Sequence, residues 1–132
     1  MGMFGIGGRM RQRLDQQRAQ RAERLAHDQA VSAQVRSIAD VLLRIGDRIV
    51  ENEKGRGSFT GAELRSMEAA IERLSGGDDR LVLRALDDPR IVAWQQAWAD
   101  QRNLAGPAAA VRANYFAGLR VQIHQRSAQG TR

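Results

Sequence analysis

The 132-residue chain has no cysteine, which excludes disulfides and thiolate chemistry and leaves the redox compartment open. Aromatic residues are few: Phe4, Phe59, Trp94, Trp98, Tyr115 and Phe116. Such sparseness suits a helical bundle, whose core is built from Leu, Ile, Val and Ala. No segment alternates apolar and polar residues with period two over a useful length, so a sheet is not expected. No internal repeat is visible. No apolar run approaches the roughly 20 residues that a membrane span requires. The stretch Met1–Gly8 is apolar, but it is too short for a signal peptide and no basic residue leads it. Gly2 suits myristoylation, but Ile6 stands where that motif wants Ser or Thr. The expected compartment is the cytoplasm, with no membrane partner.

The residues of catalysis are also scarce. The only histidines are His27 and His124, one in a polar segment and one beside Ile123. His27 and Asp28 are adjacent, so they do not share a helix face as metal ligands would. Asp78-Asp79 and Asp87-Asp88 precede helical segments, where capping and the helix dipole account for carboxylates. Glu51 and Glu53 flank a glycine-containing loop but fall short of a calcium loop's ligand set. Gly5-Ile6-Gly7-Gly8 follows no strand and precedes no Gly-Lys-Ser/Thr, so it is not a phosphate loop. A non-enzymatic protein with no cofactor and no metal site is expected.

What the chain does have is basic charge and helical periodicity. The net charge is +6, and it sits at the two ends. Residues 1–30 carry +3, residues 31–100 carry −2, and residues 101–132 carry +5 with no acid. All the bases but Lys54 are arginine. The clearest periodic stretch is Val31–Val50: Val31, Val35, Ile38, Leu42, Ile45 and Ile49 fall on one side of a helix. It covers fewer than three heptads, so a bundle core is expected before a coiled-coil seam. Gly46 inside it marks a candidate close crossing, because glycine costs about 1 kcal/mol relative to alanine in a helix.

The later segments could cover that stripe. Thr60 and Glu63 form a capping-box pattern and Phe59 and Leu64 a hydrophobic staple. Leu64, Met67, Ile71 and Leu74 then make a stripe that Gly76-Gly77 ends, which places a helix at 61–75. Asp78 or Asp79 can cap a short third helix with Leu81, Val82, Ala85 and Leu86 inward. Asp88, with Pro89 at the first helical position, opens a fourth that carries Ile91, Trp94 and Trp98 and stops near 103–106. Pro107 starts a fifth, with Val111, Tyr115, Phe116, Leu119 and Ile123 inward and Gly118 as a second candidate contact point.

The expected fold is therefore all-α: about five helices in a small bundle, with a long N-terminal helix whose basic front half projects or is labile. If residues 9–52 form one helix it is roughly 65 Å long, against a radius of gyration near 14 Å for a domain of this size. The alternative is a turn near Asp28–Ser32. The expected organisation is a flexible glycine-rich tail and basic helical arm at 1–30, a bundle at 31–126 and a disordered tail at 127–132.

Function is sought in the part that the fold does not explain. Arg9, Arg11, Arg13, Arg18, Arg21 and Arg24 could neutralise phosphates, and Gln12, Gln16, Gln17 and Gln20 could hydrogen-bond phosphates or base edges. Binding of this kind holds the phosphate backbone and is not sequence-specific. Asp15, Glu23 and Asp28 dilute the charge and could instead pair with Arg18, Arg21 or neighbours. Arg112, Arg120 and Arg126 could add a second basic patch. Met3, Phe4 and Ile6 form an apolar hook that could dock on a partner. Trp94 and Trp98 are expected in the core, not as an exposed stacking platform. A helix-turn-helix over 61–103 is disfavoured, since its reading helix would open on Arg90-Ile91-Val92 where a polar set is needed. Two classes remain. The first is an accessory nucleic-acid-binding protein that uses the arginine arm. The second is a protein-interaction module (adaptor, assembly component or inhibitor of a larger complex) that docks through the arm, with homo-oligomerisation one form of such contact.

Overall fold

The computed structural model describes the backbone of residues 2–53, 58–105 and 107–130 and the side chains of residues 8–52, 58–97 and 115–130. Among the described residues there are five helices and no strand: α1 (Gly2–Glu53), α2 (Gly61–Ser75), α3 (Asp79–Leu86), α4 (Pro89–Ala105) and α5 (Pro107–Gly130). The chain divides into two compact units, residues 1–33 and residues 34–132. α1 is helical through Asp28–Ser32, where the sequence offered a capping residue for a turn. It also takes in Gly2–Gly8, and α5 runs on to Gly130, both stretches having been expected as loose tails. Continuing a formed helix gains a hydrogen bond for each residue ordered, whereas starting one does not, so a long helix extends through weak formers.

The second unit holds the core. Ile38, Leu42 and Ile45 of α1 are fully buried, and Ala39 is buried beside them. They cluster with Ile71 of α2, Val82, Ala85 and Leu86 of α3, Ile91 of α4, and Phe116 and Ile123 of α5. Each large side chain so enclosed contributes about 1.5–3 kcal/mol through removal from water. The stripe expected from the 3-4 spacing of α1 is thus the central wall of a helical core, with α2 to α5 supplying the other walls.

Local sequence fixes where these helices begin and end. The Thr60 hydroxyl accepts a hydrogen bond from the Glu63 N–H at 3.1 Å, satisfying one of the donors that a helix start leaves unpaired. The return half of the capping box is not made. The Glu63 carboxylate instead accepts from Arg48 at 3.1 Å, because a guanidinium from α1 offers a charged donor. Gly76 and Gly77 take positive φ of 60° and 77°. Their N–H groups reach Arg73 O and Glu72 O at 3.3 and 3.2 Å, a Schellman ending. Asp78 caps α3 by accepting from the Arg80 N–H at 3.0 Å. Asp88 caps α4 by accepting from the Arg90 N–H at 2.8 Å, with Pro89 at the first helical position.

Gly46 is the close crossing that its place in the stripe suggested. A Cβ there would lie 3.0 Å from Trp94 Cζ2 and 3.2 Å from Phe116 Cζ. Trp94 meets Phe116 edge to face with ring centroids 5.2 Å apart, and its Nε1 donates to Asp47 at 3.0 Å. It is a half-buried packing residue, as expected, while the side chain of Trp98 lies outside the described residues. Gly118 is different: a Cβ there would meet nothing within 4 Å. It faces open space and is not a contact point.

Candidate nucleic-acid interface

Residues 8–30 read as a helix that is polar nearly all round, and such a helix has no apolar face to bury. The structure agrees at every position, since each described side chain from Gly8 to Ala30 is exposed. This stretch carries all the predicted arginines: Arg9, Arg11, Arg13, Arg18, Arg21 and Arg24. Among the described residues none of them forms an ion pair or side-chain hydrogen bond, and neither do Asp15, Glu23 and Asp28. The pairing within the arm that the sequence allowed, such as Arg18 with Asp15, is not formed. On an exposed helix such pairs stabilise by only about 0.2–0.5 kcal/mol.

Arginine behaves differently in the second unit. Arg48 bridges Glu51 and Glu63 at 3.0 and 3.1 Å and stands over the Phe59 ring at 5.7 Å. These contacts, the Glu63 bond first, raise its already high pKa further. Arg90 binds Asp88 and Asp40 at 3.0 and 2.6 Å. The Arg90 hydrogen bond in turn holds the Asp88 carboxyl below its ordinary value. Arg80 does the same for Asp78. Arg120 pairs with Asp87 at 3.0 Å and Arg126 with Asp79 at 3.2 Å. Each diacid therefore spends one carboxylate on a cap and the other on an arginine of α5.

That assignment corrects the second basic patch. Arg120 and Arg126 are held by acids, and the side chain of Arg112 lies outside the described residues. Arg90, at the start of the helix that a helix-turn-helix would use for reading, is likewise bound to two carboxylates. The remaining exposed arginines of this unit, Arg36, Arg44, Arg65, Arg73 and Arg84, lie within 31–100, where acids outnumber bases. The Met3, Phe4 and Ile6 hook falls on α1, but its side chains lie outside the described residues.

A half-open cleft of about 540 Å³ lies between α2, α3 and α5 and includes Glu68, Glu72, Asp79, Tyr115 and Arg126. Burial, with Glu68 adding to it, pushes the Tyr115 phenol well above its usual range. Its hydroxyl is buried without a hydrogen-bond partner among the described residues. This cleft is not legible in the sequence, since its walls come from three separate helices, α2, α3 and α5. No group of three or more potential metal ligands gathers among the described residues. His27 and His124 are both exposed. No described helix is long and apolar enough to cross a membrane. The chain matches no family model, no curated protein and no solved structure.

Proposed function

We propose that this is a non-enzymatic accessory protein that holds the phosphate backbone of nucleic acid through the arginine arm of α1. One observation carries the reading: the arm's six arginines are exposed and have no partner among the described residues, whereas five arginines of the second unit are bound to acids. A guanidinium without a carboxylate partner is free to displace a counterion from a phosphate. The bundle then serves as the folded body that carries the arm.

A second reading, a protein-interaction module docking on an acidic partner through the arm, is favoured by Met10, Leu14 and Leu25. These are exposed at 61%, 47% and 59% and are the arm's only large apolar side chains among the described residues. Titrating the full chain against a labelled duplex at several salt concentrations separates the two. The nucleic-acid reading expects a loss of affinity of about a thousandfold between about 50 and 200 mM salt if all six arginines are engaged. Absence of binding at the lower concentration removes it.

A further inference from the structure

The arm's side chains are sorted around its axis. At about 100° per residue, Arg9, Arg13 and Arg24 fall on one flank of α1 and Arg11 and Arg18 on the opposite flank. Between the flanks, on one side, lie Met10, Leu14, Gln17, Arg21 and Leu25, with Asp28 beyond them at the C-terminal end of that face. On the other side lie Gln12, Asp15, Gln16 and Glu23 with Ala19, Ala22 and Ala26. The helix thus has two basic walls, a back of acids, amides and alanines, and a front of apolar groups with one guanidinium and one amide. All of these positions are exposed.

A single phosphate strand, or the outside of a duplex, needs cations on one flank only. Cations on opposite flanks with the acids behind fit a ligand that has phosphates on both sides of the helix and something other than phosphate in front. The major groove of B-form DNA is about 12 Å wide, which matches the roughly 10–12 Å diameter of a helix with its side chains. The A-form groove of duplex RNA is too deep and narrow to admit one. The front face suits base edges: Arg for guanine O6 and N7, Gln for adenine N6 and N7, and apolar groups for the thymine methyl.

We infer that residues 9–25 of α1 lie along the major groove of B-form duplex DNA, with the two arginine flanks on the two phosphate strands and Gln17 and Arg21 toward the bases. This rests on the proposed nucleic-acid reading and specifies its ligand. It gives Arg21 a role unlike that of its neighbours.

The test uses the full chain with duplex DNA, duplex RNA and single-stranded DNA of one sequence. Duplex DNA should bind at least about tenfold more tightly than duplex RNA. Bound protein should protect guanine N7, in the major groove, from dimethyl sulfate while leaving adenine N3, in the minor groove, reactive. Alanine at Arg13, or at both Arg11 and Arg18, should lower the salt slope by about 0.9 for each arginine removed. Arg21→Ala should leave the slope nearly unchanged and flatten any preference among duplex sequences. These exposed helix positions tolerate alanine, and circular dichroism of each variant checks that the fold is kept. Equal binding of all three nucleic acids with guanine N7 open would overturn the groove placement and leave the phosphate-binding reading standing. Binding of none would overturn both.

Discussion

The two units use the same residue for opposite ends. In residues 34–132, five arginines are paired with acids, among them Arg120 and Arg126, which join α5 to Asp87 and Asp79, and Arg90, which joins the start of α4 to Asp40 of α1. In residues 1–33, arginine makes no such pair, and every one of the arm's arginines is exposed and without a partner among the described residues. The apolar side chains divide in the same way. Leu42 is fully buried, while Leu25, on the same helix, is 59% exposed. The difference shows where folding energy is spent. A helix whose side chains bury nothing rests on its backbone hydrogen bonds and propensity alone, which are marginal in water.

The sharpest way to break that comparison is to truncate a leucine in each unit. Leu42→Ala should cost about 2–5 kcal/mol in denaturant unfolding, because it opens a cavity in the core. Leu25→Ala should change stability by less than about 0.5 kcal/mol. Similar losses at the two sites would mean that the arm is packed after all. Next in size is Gly46→Ala. The new methyl must push on Trp94 and Phe116, so a loss of about 1–3 kcal/mol is expected from overpacking, partly offset by alanine's better helix propensity. An unchanged melting temperature would show that the two rings yield freely.

Thr60→Ala should cost about 1 kcal/mol by removing the cap of α2, whereas Thr60→Ser should restore it. Tyr115→Phe should leave stability unchanged or raise it slightly, since it removes a buried hydroxyl that makes no hydrogen bond among the described residues. The smallest effect is electrostatic. Asp88 has a lowered pKa in the folded state, so its contribution is complete above the unfolded value of about 4. It is lost as pH falls through the lowered native value. Stability should decline on acidification below about pH 4, and Asp88→Asn should flatten that decline. A steeper decline in the variant would mean that Asp88 is not the group responsible.

Most of the fold could be read from the chain because its signals are local. Thr60, Gly76-Gly77, Asp78 and Asp88-Pro89 mark helix ends through geometry that spans only a few residues. The 3-4 spacing of Val35 to Ile49 shows which face is buried. Gly46 was legible because it interrupts an apolar face, whereas Gly118 looked the same in sequence and proved to face open space. What could not be read depends on distant partners. Arg120 meets Asp87 and Arg126 meets Asp79 across 33 and 47 residues, and nothing in the sequence separates these arginines from unpaired ones. Glu63 was legible as a cap residue, but its capture by Arg48 was not, since Arg48 lies on another helix. The arm was legible as a polar helix. That its arginines stay clear of Asp15 and Glu23 required the structure.

The central claim is that the arm's six exposed arginines are the ones that hold phosphate, while Arg48, Arg80, Arg90, Arg120 and Arg126 of the bundle are held by acids. Its most direct measurement is the salt slope of duplex DNA binding for the full chain, with arginine replaced by alanine one position at a time. Replacing Arg9, Arg13 or Arg24 should lower the slope by about 0.9 each, and replacing Arg48, Arg120 or Arg126 should leave it unchanged. The opposite pattern, with the slope carried by Arg120 and Arg126 and indifferent to the arm, would contradict the account.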